Sequence, residues 1–245
     1  IAFSLPGVID SEQGYSITGG SLTYNDKRHF VADIQQHCPV PVTIENDAKC
    51  AALAEAWKGS LVGCKNGVVV VLGTAVGGGI FLNGQLYKGS HFAAGELSFL
   101  LTDSWHAKGE PYHYWGHDGG SRGLCRAVEH IKRLPPKSVN GQQVFAWANE
   151  GDADVCEALD AYTYRLAMQF FNLQSLFDPD IIAIGGGISA QPLLLQYIEQ
   201  NMAYLEQNLP MHLTIPKVVR CHFMNDANLV GALHHHLQIT ETPVP

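Results

Sequence analysis

Val68-Val69-Val70-Val71-Leu72 runs without a break into Gly73-Thr74-Ala75-Val76-Gly77-Gly78-Gly79, and Ile80-Phe81-Leu82 then leads to Asn83-Gly84. Five consecutive apolar residues with no polar alternation describe a strand covered on both faces, as in α/β sheets. Asn-Gly between two extended runs is a hairpin turn signal. The stretch therefore reads as a buried strand, a glycine-rich reversal and a return strand. Four glycines in residues 73–79 exceed what a turn requires. Without side chains in the way, backbone N–H groups can converge on an anion, and Thr74 adds a hydroxyl donor.

A second run of the same kind, Asp180-Ile181-Ile182-Ala183-Ile184, meets Gly185-Gly186-Gly187 where a strand ends, the place where open α/β sheets put their ligands. It is neither a Walker A sequence nor G-x-G-x-x-G. Upstream, a short strand over Val40–Ile44 ends at Glu45-Asn46-Asp47-Ala48, and the Ala-rich stretch to Lys58 predicts a helix that Gly59 stops. Either Asn46 or Asp47 can cap it. Alone, Asp47 is most simply a cap; together with two glycine turns it becomes a candidate general base for a hydroxyl that is to be phosphorylated. Further helices are expected at 27–37, 121–133, 152–177 and 192–208, the last with Leu194, Tyr197, Ile198, Met202 and Leu205 on one face. Asn46-Asp47-Ala48 recurs as Asn225-Asp226-Ala227, again before an apolar helix, as two related half-structures would give. Residues 102–120 have no period and are expected to form a long ordered loop. His234-His235-His236 is expected to be a solvated helix end.

With 245 residues, 46% of them hydrophobic, the chain makes one large or two small domains with a substantial core. The net charge of −8, with no cluster of Lys and Arg, argues against a nucleic-acid partner. The six cysteines are scattered, without a C-x-x-C pair, and read as reduced thiols of a cytoplasmic protein. No apolar run reaches the ~18 residues of a membrane span. His91, His106, His113 and His117 lack the spacing of a zinc site, so no structural zinc is expected. Opening on Ile1 inside an apolar run, the chain is expected to lack an upstream segment.

Together these segments resemble the ROK family, the bacterial sugar kinases and sugar-responsive repressors of the actin-like ATPase superfamily. Pro6-Gly7-Val8-Ile9-Asp10 with Gly14 looks like the family's sugar-side loop, and Glu45-Asn46-Asp47-Ala48 through Gly59 like its catalytic segment. Leu72-Gly73-Thr74-Ala75-Val76-Gly77-Gly78-Gly79-Ile80 is similar to the phosphate hairpin L-G-T-G-[IV]-G-G-G-I. Gly95-Glu96-Leu97 is similar to the sugar contact G-E-[LI]-G-H, and Ile182–Ser189 to the adenosine turn. The resemblance implies an α/β fold of two lobes around an interlobe cleft, with residues 1–45 and 226–245 in the smaller lobe and 46–225 in the larger. It implies an ATP- and Mg²⁺-dependent hexose or glycoside kinase in which Asp47 is the general base. Asn46, Glu96, Gly7 and Val8 would meet the sugar. Gly73, Thr74 and Gly77 would face the ATP phosphates, and Gly185, Gly186 and Gly187 the adenosine. A homodimer is a further family expectation.

The chain departs from the family pattern at several points. The first phosphate motif, D-[IL]-G-G-T, is not found, and without it efficient turnover is not expected from this chain alone. The C-x-C-G-x-x-G-C zinc loop is replaced by residues 105–120, and Phe99 stands where the His of the sugar contact belongs; the two losses together describe a zinc-free subgroup. Ala75 and Ser98 replace glycines. Counting back four residues from Ser121, where the family has a sugar-binding glutamate, reaches His117. The alternatives are a sugar-sensing, non-catalytic member or the family's transcriptional repressors. A dinucleotide oxidoreductase using the Gly185–Gly187 turn lacks the fingerprint spacing and the acidic ribose partner.

Overall fold

The structure is a computed structural model that describes residues 1–103, 108–210 and 214–240. His106, and residues 241–245 of the expected smaller lobe, lie outside the described residues. In chain order the elements are β1 (Ala2–Leu5), β2 (Ile9–Asp10), β3 (Tyr15–Ser16), α1 (Phe30–Gln35), β4 (Thr43–Asn46), α2 (Asp47–Lys58), β5 (Gly67–Leu72), β6 (Val76–Leu82) and β7 (Gln85–Tyr87). There follow α3 (Trp115–Asp118), α4 (Ser121–Ile131), α5 (Gly141–Asn149), α6 (Ala153–Phe177), β8 (Ile181–Gly185), α7 (Pro192–Asn208), β9 (Val218–Arg220) and α8 (Ala227–Thr240). Contacts group the chain into two compact units. The first holds Ile1–Val69, Gly78–Glu96 and Cys221–Pro245, the second Val70–Gly77 and Leu97–Arg220. This division does not fall at residue 45, because α2 packs along α8 and stays with the first unit.

In the first unit β1 runs parallel to β4, with Ala2 opposite Thr43 and Leu5 opposite Asn46. Leu5, Ile9, Phe30 and Ile44 form a core against which Phe3, Val31 and Ile34 pack. Strand β4 continues past Ile44 through Glu45 and Asn46, and α2 begins at Asp47 itself. The alanines of α2 present little side-chain bulk, so neighbouring backbones come close. A Cβ at Gly79 of β6 would sit 2.4 Å from the Ala52 Cβ, and one at Gly231 of α8 only 1.6 Å from the Cys50 carbonyl oxygen. The β6–β7 hairpin pairs Ile80 with Tyr87 and Leu82 with Gln85. Its turn residues Asn83 and Gly84 have φ of 55° and 75°, the left-handed pair that the Asn-Gly signal implies.

Two features of this unit were not expected. Glu55, fully buried near the end of α2, accepts hydrogen bonds on Oε2 from Ser60 N, Ser60 Oγ and His222 N, and on Oε1 from Phe223 N. Its carboxylate thus ties the end of α2 to the residues that lead into α8. The three histidines are not a solvated end. His234 stacks on Trp57 with ring centroids 4.6 Å apart, His235 is 7% exposed, and His236 Nδ1 lies 3.0 Å from Thr43 Oγ1. Successive helix residues point about 100° apart, so each ring meets a different partner. Burial lowers the pKa of all three; Lys58 also lowers that of His234, and Glu45 opposes the shift at His235.

In the second unit, which β5 enters at Val70, the strand order is β5-β8-β9, with Ile182 of β8 opposite Val218 of β9 in parallel. Ile182, Ala183 and Ile184 are fully buried, as the unbroken apolar run implies. The expected helices are α4, α6 and α7. The nine-residue α5 was not anticipated, although its capping box, Asn140 with Gln143, is a local signal. The 102–120 stretch contains the short helix α3 and an isolated bridge between Leu101 and Tyr114. No helix among the described residues is long and apolar enough to cross a membrane.

Gly231→Ala forces a methyl group into the Cys50 backbone and is expected to cost about 3 kcal/mol or more. Glu55→Ala, which strands three backbone donors, is expected to cost on the order of 3 kcal/mol; urea unfolding of both variants checks the two values. The histidines bind protons less readily folded than unfolded, so they are expected to cost stability as pH falls from about 6.5 toward 5. Unfolding midpoints across that range, compared between the wild type and His235→Phe, measure this loss, and the variant is expected to show the shallower slope.

Candidate active site

In the first unit the site is built around the start of α2. The capping question is resolved by Asn46, whose Oδ1 accepts from Lys49 N at 3.0 Å. Asp47 is therefore not the N-cap; its Oδ1 accepts from its neighbour Ala48 N at 2.8 Å. The Asp47 side chain is open to solvent, yet protein atoms crowd it. This desolvation raises its pKa above the ordinary 3.8, against the opposing pull of the Ala48 and Asp47 N–H groups and the Lys49 ammonium.

Asn46 is buried, and its Nδ2 donates to the Gly7 carbonyl at 2.9 Å, fastening the 6–8 turn to the head of α2. Gly7 has a φ of +97°, and a Cβ there would lie 2.0 Å from the Thr18 carbonyl, so glycine is required. Val8 has both backbone groups engaged: its N–H donates to Thr18 Oγ1, and its carbonyl accepts from Ile17 N and Thr18 N. Glu96 lies at the end of a loop and accepts from Lys49 Nζ on Oε1 at 3.3 Å. Burial raises its pKa as well; Lys49 opposes the shift and Asp47 adds to it. Behind Asn46, the buried Glu45 pairs with Lys88 at 2.8 Å and accepts from Ser11 Oγ at 3.0 Å.

The glycine turns of the second unit divide into two kinds. Gly186, with φ of +87°, is needed for packing, because a Cβ there would lie 2.3 Å from the Leu72 carbonyl oxygen. At Gly187 a Cβ would meet nothing within 4 Å, and at Gly73 only the Ala75 carbonyl, at 3.9 Å. Neither of these two has a left-handed φ. Their missing side chains leave open space rather than relieve a clash. Gly185 ends β8, Gly77 lies in β6, and Thr74 is exposed between the strands. The Gly73 carbonyl is held by both the N–H and the hydroxyl of Ser121. Ser98, in place of a family glycine, uses its hydroxyl to bridge the N–H and carbonyl of Val76.

His117 is exposed, with Nδ1 2.6 Å from Asp118 Oδ1. It lines a cavity of about 720 Å³ in this unit together with Trp115, Arg126, Tyr162 and Arg165. Trp115 is buried, with its ring against that of Phe170. Among the described residues no group of three or more His, Cys, Asp or Glu side chains could hold a metal ion. Sequence reasoning missed Lys49 and Lys88, the cations beside Glu96 and Glu45. The available signal for Lys49 was a lysine at the third position of α2, directly before the small apolar run Cys50-Ala51-Ala52.

The model of the ROK family matches residues 1–238. A β-glucoside kinase of Klebsiella pneumoniae is 33% identical over 246 residues, which span 99% of this chain and 80% of that enzyme. A β-glucoside kinase of Listeria monocytogenes is 30% identical over 238 residues, 97% of this chain and 79% of the relative. The crystal structure of a ROK family protein from Streptococcus pneumoniae TIGR4, in complex with sucrose, is 27% identical with a TM-score of 0.87, and the match covers 98% of this chain and 81% of that one. Matched by the family model over residues 1–238, the chain belongs to the ROK family and has its actin-like α/β fold.

Proposed function

We propose that this protein is a sugar kinase that transfers the γ-phosphoryl group of ATP to a hydroxyl of a hexose or glycoside, with Asp47 as the general base. The observation that carries the reading is the division of labour at the head of α2: Asn46 makes the cap, and the solvent-reachable Asp47 keeps a carboxylate with a raised pKa. Asp47 accepts the hydroxyl proton as the sugar oxygen bonds to phosphorus and ADP departs. The identity with β-glucoside kinases favours a glucoside-like acceptor.

On this reading Glu96 accepts from a neighbouring hydroxyl, and Asn46 orders the Gly7–Val8 turn while retaining one Nδ2 hydrogen for the sugar. His117, at the position of the family's sugar-binding glutamate, is read as a further candidate for a sugar contact. Gly73, Thr74 and Gly77 approach the ATP phosphates through backbone N–H groups and the Thr74 hydroxyl, and Gly185, Gly186 and Gly187 approach the adenosine. The open space at Gly73 and Gly187 supports this assignment. Mg²⁺ bound together with the nucleotide would supply charge neutralisation on the phosphates; among the described residues no group of three or more His, Cys, Asp or Glu side chains would hold it. The protein is taken as a cytoplasmic homodimer, and the exposed Phe99, Leu101 and Tyr112 are apolar surface that pairing would cover.

Asp47→Asn in the full-length protein is expected to lower kcat by about 10²- to 10⁴-fold while sugar still binds by calorimetry; undiminished turnover removes Asp47 as the base. The base works only when deprotonated and its pKa is raised, so kcat/KM is expected to fall on the acid side at a higher pH than for an ordinary aspartate. Gly73→Ala and Gly187→Ala are expected to leave the melting temperature unchanged or slightly higher. Both should raise the KM for ATP, because the methyl group occupies space kept for the nucleotide. An unchanged KM in both variants would take these glycines out of the site.

A further inference from the structure

Lys49 has no part in the reaction as described, yet its position is costly to build. It is 1% exposed, in the first turn of α2. A buried ammonium is tolerated only when it is paired and hydrogen-bonded. Its Nζ donates to the Phe92 carbonyl at 3.0 Å and to Glu96 Oε1 at 3.3 Å. Both acceptors lie on one loop, which turns through left-handed backbone at Gly89 (φ 71°), Phe92 (φ 59°) and Gly95 (φ 85°). Phe92 is not a glycine, and such a conformation persists only where surrounding contacts impose it. Gly95 presses on the Gly78 carbonyl, 2.9 Å from where its Cβ would stand. Among the described residues no hydrogen bond reaches Glu96 Oε2. Phe99, three residues on, is 72% exposed and contributes no polar group.

We propose that Lys49 is a positioning residue for the sugar: it clamps one carboxylate oxygen of Glu96 and the carbonyl of Phe92, so that Oε2 is presented to a sugar hydroxyl in a fixed direction. The inference rests on the reading of Glu96 as a sugar contact. The same ammonium, paired with Glu96, also lowers the pKa of Asp47 through space, so it favours the charged form of both carboxylates. Removing it therefore loosens Glu96 and makes Asp47 harder to deprotonate. Either change alone would weaken the site; one side chain controls both.

The test compares Lys49→Met, Glu96→Gln and the double variant in the full-length protein. Binding of glucose and methyl β-glucoside is measured by calorimetry, and kcat/KM is measured against pH. The expected result is a sugar Kd raised about tenfold or more by each single change, about 1.4 kcal/mol, with the double variant no worse than the poorer single. The acid limb of kcat/KM is expected at higher pH in Lys49→Met. A wild-type Kd and acid limb in Lys49→Met would overturn the proposal, as would losses that multiply in the double variant, since Lys49 would then act independently of Glu96. If Lys49→Met does not fold, Lys49→Gln, which can still donate to Phe92, takes its place under the same criteria. Failure of the kinase reading looks different: the wild-type protein forms no sugar phosphate from ATP, while the calorimetric comparison still decides the role of Lys49. Should neither sugar bind the wild type, the Glu96 assignment falls and the proposal with it.

Discussion

At Gly231 the backbone of α8 approaches the Cys50 carbonyl so closely that a single methyl group would overlap it, and this approach sets where α2 lies. An alanine-rich helix has little side-chain area to bury, so it gains contact only if its neighbours bring their backbones in. Gly79 does the same from β6, against Ala52. The far end of α2 is then fixed by Glu55, whose carboxylate gathers backbone donors from the residues leading into α8. Held by close backbone approach in the middle and by a carboxylate at the end, α2 presents its first turn, with Asp47 and Lys49, in one orientation.

The parts of the fold that were legible in the sequence are those with a local cause. The runs at Val68–Leu72 and Ile181–Ile184 carry their own burial pattern, and Asn83-Gly84 carries its own turn. The parts that were not legible depend on partners far along the chain. Nothing near Glu55 announces that its partners are His222 and Phe223, and His234–His236 look solvated until Trp57 and Thr43 are brought beside them. The repeated Asn-Asp-Ala illustrates the limit. Both copies precede helices that pack on each other, but Asn46 caps α2 directly, whereas Asn225 and Asp226 lie in a 3₁₀ turn before α8. The letters agree and the local geometry does not.

Glycine was the most visible signal for the candidate site and also the most ambiguous one. The sequence offers the same letter for a residue that relieves a clash and for one that keeps space empty. Gly186 and Gly95 are of the first kind, since a Cβ on either would stand within van der Waals distance of a carbonyl oxygen, at 2.3 Å and 2.9 Å. Gly73 and Gly187 are of the second, with no steric demand and no left-handed backbone to explain them. Gly73 lies in a bend after β5 and Gly187 opens a short 3₁₀ turn; at such positions a glycine costs roughly 0.4–1 kcal/mol against alanine through the freedom of the unfolded chain, so a glycine that packing does not require points to something outside the chain.

The electrostatics of Asp47 follow from the same arrangement. A carboxylate in the first turn of a helix is normally stabilised by the exposed N–H groups there, which lower its pKa. Here desolvation by the protein atoms crowded around it outweighs them, and the pKa rises despite the Ala48 N–H and the ammonium two residues on. Were Asp47 the cap, its charge would be committed to the helix and its basicity lowered further. Because Asn46 makes that bond, the helix start is satisfied by a neutral amide, and the adjacent carboxylate is left more basic than an ordinary aspartate. Lys49 limits the rise from the other side. Base strength at this position is thus set by three neighbouring residues: an amide that replaces the aspartate as cap, a carboxylate pushed up by its surroundings, and a buried cation that restrains it.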